Sequence, residues 1–149
     1  METKNYHAEI NVIVSAEEVF EKINQVSDWW TANLEGNSEK INDVFTVRFG
    51  ETFVTFKIVD FIPNSTIVWL VTDCNLHWLS DKKEWKNTKI VWEVSTKKGT
   101  THVDMTHIGL VPGIECYERC NEGWNHFIKE SLFSLITEEK GLPEGKKAA

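Results

Sequence analysis

What this chain lacks narrows its role before any motif is considered. Its 16 Lys and Arg stand against 23 Asp and Glu, a formal net charge of -7, and no basic stripe is visible. Phosphate backbones are gripped by clustered Lys and Arg, so nucleic acid is not an expected partner, nor is an anionic membrane surface. No apolar run is long enough to span a bilayer, and no membrane insertion is expected. The opening Met1-Glu2-Thr3-Lys4-Asn5 lacks the apolar stretch of a secretory leader, which makes a reducing cytoplasm the expected location. Cysteines are few and odd in number, and Cys74, Cys116 and Cys120 show no disulfide-like spacing. Nucleophile elbow, metal-ligand cluster and phosphate-binding loop are all missing, as are internal repeats and low-complexity segments. No cofactor is expected.

What is present is tryptophan: seven in 149 residues, at 29, 30, 69, 78, 85, 92 and 124. Each brings a large apolar surface and one N–H that needs a partner, which suits cores and pocket walls alike. The length fits one domain able to bury about 70% of the surface its unfolded chain exposes.

Most of the chain alternates with the period of β-strands. Tyr6, Ala8, Ile10 and Val12 share one face and His7, Glu9 and Asn11 the other, a half-buried strand. Ser15 and Glu18 then form a capping-box signal, with Val14 and Val19 placed as a hydrophobic staple, and a helix is predicted from about Ala16 to Gln25. A second short helix beginning near Ser27-Asp28 carries Trp29 and Trp30. Further strands are predicted over 44–49, 52–61, 66–73, 89–95 and 101–107, separated by turn residues such as Pro63-Asn64-Ser65 and Lys97-Lys98-Gly99. The continuous apolar run Ile67–Val71 leaves the inward face of its strand undetermined, and Cys74–Asn87 breaks the pattern as a long excursion.

After Pro112-Gly113, a final helix is predicted from near Glu115 to about Lys140, stopped by Gly141 and Pro143. Its apolar stripe is Cys120, Trp124, Phe127, Ile128, Ser131, Leu135 and Ile136. The fold class is therefore α+β, a single domain over 1–140 with a frayed tail at 141–149. A curved antiparallel sheet of about six strands, two short N-terminal helices and one long C-terminal helix make it up. The sheet buries one face, and only the long helix is large enough to cover it. Side chains fill such a bent sheet imperfectly, which leaves a cavity.

Three motifs in order resemble a known family. Ser15-Ala16-Glu17-Glu18-Val19-Phe20 followed by Trp29-Trp30 is similar to the opening of START-like (SRPBCC, helix-grip) domains. Met105-Thr106-His107-Ile108-Gly109-Leu110-Val111-Pro112, with Gly123-Trp124 and Ser131-Leu132, resembles the bacterial branch named after the activator of the heat-shock chaperone ATPase. The resemblance spans roughly residues 6–140. It implies a hydrophobic cavity between sheet and C-terminal helix, in a group that binds lipids, sterols, polyketides or plant metabolites, with a few members catalysing cyclisation or hydrolysis. The eukaryotic co-chaperone behind the branch name carries an additional chaperone-gripping domain for which this chain has no room. The name transfers as homology, not as activity.

The expected function is non-covalent binding of a hydrophobic or aromatic small molecule. Trp29 and Trp30 are placed at the mouth, while Phe45, Phe56, Trp92 and Trp124 face inward by parity or stripe. Trp69, Trp78 and Phe127 complete the expected wall. Singly, each aromatic reads as core; as a set, with the resemblance, they read as a cavity. His107 shares the inward face with Val103 and Met105. It is the residue to orient a ligand or, in the alternative reading of a cyclase or hydrolase, to act as general base; the plainer reading is a satisfied structural histidine. Cys116, Cys120 and His126 offer zinc donors, but His126 lies about 120° round the helix, and buried free thiols are the expected state. A third alternative is a protein-binding module contacting a chaperone or a second copy, which no sequence feature supports.

Overall fold

The computed structural model describes residues 5–77, 79–80, 82–111 and 117–143. Its strands are β1 (Tyr6–Val12), β2 (Leu34–Gly36), β3 (Val44–Phe49), β4 (Thr52–Ile62), β5 (Thr66–Asn75), β6 (Lys89–Lys97) and β7 (Thr100–Ile108). They form one antiparallel sheet in the order β1-β7-β6-β5-β4-β3-β2. Sequence neighbours from β2 to β7 are therefore spatial neighbours, as short connections favour. The seventh strand, β2, has no sequence signal because three residues are too few to show a period. Expected Trp78, Pro112-Gly113, Glu115 and Cys116 lie outside the described residues.

Between β1 and β2 come α1 (Ala16–Asn24) and α2 (Val26–Trp29). The predicted cap is in place: the Glu18 N–H donates to Ser15 Oγ at 3.2 Å, and Val19, Phe20 and Ile23 form the buried face. The undetermined strand resolves with Ile67, Trp69 and Val71 inward. The register of β4 on β5 slips at Thr55/Phe56 and again at Ile58/Asp60. Such bulges bend and twist a strand pair, here in the middle of a sheet that must curve around a helix. The first slip also changes parity, so that both Val71 and Cys74 face the core.

The C-terminal helix runs through an α-helical segment Tyr117–Trp124, a π-helical one Asn125–Leu132 and a second α-helical one Phe133–Glu138. The sequence explains the wide middle. Cys120, Trp124, Ile128, Leu132 and Ile136 are all buried, a repeat of four. On an ideal α-helix each four-residue step drifts about 40°, so four steps would carry the stripe about 160° round the axis. Wider π turns absorb that drift and hold the stripe toward the sheet.

The helix is fastened at two places. Tyr6 on β1 donates its hydroxyl to Asn125 Oδ1 at 2.7 Å; burial raises its phenol pKa, with nearby Tyr117 adding to the rise. Fully buried Ser131 donates to the Trp29 carbonyl at 2.6 Å and accepts from the Leu142 N–H at 2.7 Å. The chain after the helix thus folds back on α2. Gly141 and Pro143 are buried, and a Cβ at Gly141 would lie 2.0 Å from the Asp28 carbonyl oxygen, so only glycine fits. Replacing Ser131 by Ala leaves the buried Trp29 carbonyl and the part-buried Leu142 N–H without this partner, and should cost about 1–3 kcal/mol in urea unfolding. An unchanged midpoint would count against this clasp.

Candidate functional site

A cavity of about 290 Å³ opens between the C-terminal helix and the sheet. The helix supplies Cys120, Gly123, Trp124 and Phe127, and the sheet supplies Phe49, Thr52 and Val54. Leu76 and Trp85, from the segment after β5, and Trp30, which caps α2, complete the lining. Among the described residues no charged side chain takes part. An apolar cleft with few polar groups is the usual form of a small-molecule site.

Trp30 separates this cavity from the core. On the cavity side its ring meets Trp124 at 4.7 Å and Phe49 at 6.0 Å. On the other side it meets Phe56 at 5.6 Å, Trp29 at 5.8 Å and Trp69 at 6.3 Å, the last two stacked. Behind that front, Trp92 closes edge-on against Trp29 and Trp69, and Phe45 packs on Phe56 and Trp69. The structure thus brings Trp30, Trp124 and Phe127 to the cavity. It places Trp29, Phe45, Phe56, Trp69 and Trp92 in the filled core behind Trp30, each with at most 1% of its surface exposed. The indole N–H groups of Trp69 and Trp92 are buried without a hydrogen-bond partner. Both rings sit in edge-to-face contacts, where weak N–H···π attraction offsets part of that cost.

His107 lies behind the cavity wall rather than in it. Its Nδ1 accepts from the Trp124 indole N–H at 3.1 Å, and its Nε2 lies 2.9 Å from Thr88 Oγ1. Since the indole can only donate, Nδ1 carries no proton and Nε2–H donates to Thr88. The Thr88 hydroxyl passes the bond on to the Trp85 carbonyl at 2.6 Å. The Trp85 ring closes edge-on over His107 at 4.5 Å and stacks on Trp124 at 5.9 Å. Burial drives the imidazole pKa down to about 3, so His107 is neutral at pH 7 with both nitrogens occupied. That is the satisfied structural histidine of the plainer reading. A group so committed neither orients a cavity ligand directly nor serves as a general base near neutrality. It fixes Trp124, which does line the cavity.

At the rim, Thr52 Oγ1 accepts from the His77 N–H at 3.2 Å, and the His77 ring pairs with Glu51 at 2.7 Å. The cysteines depart from expectation: Cys120 is disulfide-bonded, while Cys74 is the free thiol, its pKa raised by burial. A pair of buried free thiols on the last helix is thus replaced by an oxidised Cys120. No group of His, Cys, Asp or Glu among the described residues is arranged to hold a metal ion, and none of their helices is long and apolar enough to cross a membrane.

Sequence reasoning missed part of the lining. Phe49 shares the parity of Phe45 and Val47, and Val54 that of Phe56, so strand alternation contains the signal. Thr52 opens β4, where alternation alone does not mark a wall. Trp85 and Leu76 come from the aperiodic stretch between β5 and β6, where the one clue is a tryptophan set among Lys82, Lys83, Glu84 and Lys86.

No family model and no curated protein matches the sequence. Solved structures do match in fold. The Aha1 dimer from Colwellia psychrerythraea is 22% identical with a TM-score of 0.74, covering 95% of this chain and 100% of that one. A Mesorhizobium loti protein is 13% identical with a TM-score of 0.68, covering 91% and 99%. A Staphylococcus saprophyticus protein is 15% identical with a TM-score of 0.65, covering 93% and 95%. The fold is the helix-grip fold, and these likenesses carry the fold alone.

Proposed function

We propose that this protein binds an apolar small molecule, without covalent chemistry, in the cavity between its C-terminal helix and sheet. The observation that carries the reading is an uncharged, aromatic-lined cleft of about 290 Å³ in a fold whose sheet and helix leave room there. Chemistry on the ligand is the weaker reading, because the one histidine on the inward face is occupied and neutral. Dimer formation, which the name of the Colwellia structure would suggest, and chaperone activation, which the family resemblance would suggest, draw support only from that likeness. A cytoplasmic setting fits the free Cys74 thiol, and the Cys120 disulfide is then the bond expected to be reduced there.

The test is thermal unfolding of the full chain against apolar compounds of graded size and shape. A ligand held only by the folded state raises stability by about 2.7 kcal/mol at a hundredfold excess over Kd. One chemical class should raise the midpoint consistently. No shift across a diverse panel at high concentration would overturn the reading.

A further inference from the structure

From the cavity's dimensions and lining we infer that its ligands are neutral and flat, no larger than about two fused rings, and that Trp30 sets that limit. The inference rests on the reading of the cavity as a small-molecule site. Size comes first. A dry protein cavity of about 150 Å³ holds benzene, and this one measures about 290 Å³, room for about two rings and a short substituent. Shape comes from the walls. Trp85 and Trp124 are stacked nearly parallel at 9°, and Phe49 and Phe127 meet at 6.2 Å with their planes tilted by 49°. Rigid ring faces of this kind match a planar ligand through offset or edge-on contact.

Charge follows from what the lining omits. With no charged side chain among the described lining residues, an ionised ligand would lose its hydration and gain no counter-charge from them. The chain's net charge of -7 and the Glu51 carboxylate beside Thr52 make the mouth least hospitable to anions. Two lining residues carry a donor that no described residue accepts: the Trp85 indole N–H, which is buried in the wall, and the hydroxyl of half-buried Thr52, the more accessible of the two. The Thr52 hydroxyl accepts from the His77 N–H, and among the described residues nothing accepts its hydrogen. It can therefore donate to a single carbonyl or ether oxygen on the ligand.

Trp30 decides the depth. Among the described residues it alone both lines the cavity and touches Phe56, Trp69 and Trp29 behind it. Its indole fills the space that a longer ligand would need. A smaller side chain there opens the cavity toward the core without altering the mouth.

Isothermal titration of the full chain with 2-acetylnaphthalene, 2-naphthoate, 1-acetylpyrene and 1-decanol tests this. Wild type should bind 2-acetylnaphthalene at least about tenfold more tightly than the anion, which lacks a counter-charge, or the four-ring ketone, which lacks space. Trp30→Leu should shift the preference toward 1-acetylpyrene by about tenfold or more. Thr52→Val should weaken 2-acetylnaphthalene severalfold and leave unsubstituted naphthalene unchanged. Equal wild-type affinity for the two-ring and four-ring ketones, or for the ketone and the carboxylate, overturns the inference. So does a Trp30→Leu variant with the wild-type ratio. If Trp30→Leu does not fold, the wild-type ratios and Thr52→Val, a change at a half-buried position, decide the matter. Binding of 1-decanol without any ring compound overturns this inference and leaves the small-molecule site standing. Binding of none of the probes removes both.

Discussion

Trp124→Ala should abolish small-molecule binding and lower stability by about 3–5 kcal/mol. Two losses add. The indole is 2% exposed and packs on Trp30 and Trp85, so its removal extends the cavity and breaks a stack on both sides. Its N–H also satisfies His107 Nδ1, and that acceptor would be left buried and unpaired at a cost of about 1–3 kcal/mol. Trp124→Phe separates the two terms. It keeps most of the ring surface, so binding should survive in weakened form while the hydrogen-bond cost remains. Phe127→Ala gives the converse, since Phe127 is only partly buried and its main contacts are Phe49 and His126. Binding should fall with little loss of stability. Urea unfolding measures one quantity and calorimetric titration the other. Trp124→Ala within about 1 kcal/mol of wild type would refute the packing role given to it here.

The fold was legible because its main signals are periodic. Alternation over Tyr6–Val12, 44–49, 52–61, 89–95 and 101–107 located five strands, the apolar run between turns at 66–73 located a sixth, and the Ser15 cap with Val19, Phe20 and Ile23 located α1. The π-helical centre was not legible: a stripe at three- and four-residue spacing describes an α-helix, and the repeat of four from Cys120 to Ile136 stands out only once Leu132 is seen to be buried. The site was only half legible. Parity tells which face of a strand is buried but not whether that face meets another side chain or empty space. Phe45, Phe56, Trp69 and Trp92 point inward and meet other rings, whereas Phe49 and Val54, equally inward, meet the cavity. Tertiary packing decides between these outcomes, and it turns on Trp30, whose indole fills the depth of the grip. The contribution of Trp85 was hidden for another reason. Its segment has no repeat, and its position follows from contacts with His107 and Trp124 that are distant in sequence.

The same buried cluster should make the protein sensitive to acid. His107 in the folded chain has a pKa of about 3, against an ordinary value of 6.5. Above pH 6.5 it is neutral in both states and its packing counts in full. Between those two values the unfolded chain binds a proton that the folded chain refuses, so stability falls as the pH falls. The slope from this group alone is about 1 kcal/mol per pH unit. Carboxylates add their own loss at lower pH. Glu35 is held below the usual range by its hydrogen bond from Arg48, and Asp73 by its hydrogen bond from Lys83. Both are unchanged in a His107→Gln variant, so the difference between variant and wild type isolates the histidine. A glutamine amide offers Oε1 to the Trp124 N–H and an N–H to Thr88 Oγ1, which preserves the two bonds without a titrating group. The variant should be less stable than wild type near neutrality because its shape is imperfect there. The gap should narrow steadily as the pH is lowered from about 6.5 toward 4. Urea unfolding at a series of pH values reads the two curves. Parallel curves across that range would mean that His107 takes a proton in the folded state, and that the clasp holding Trp124 against the cavity is open to solvent.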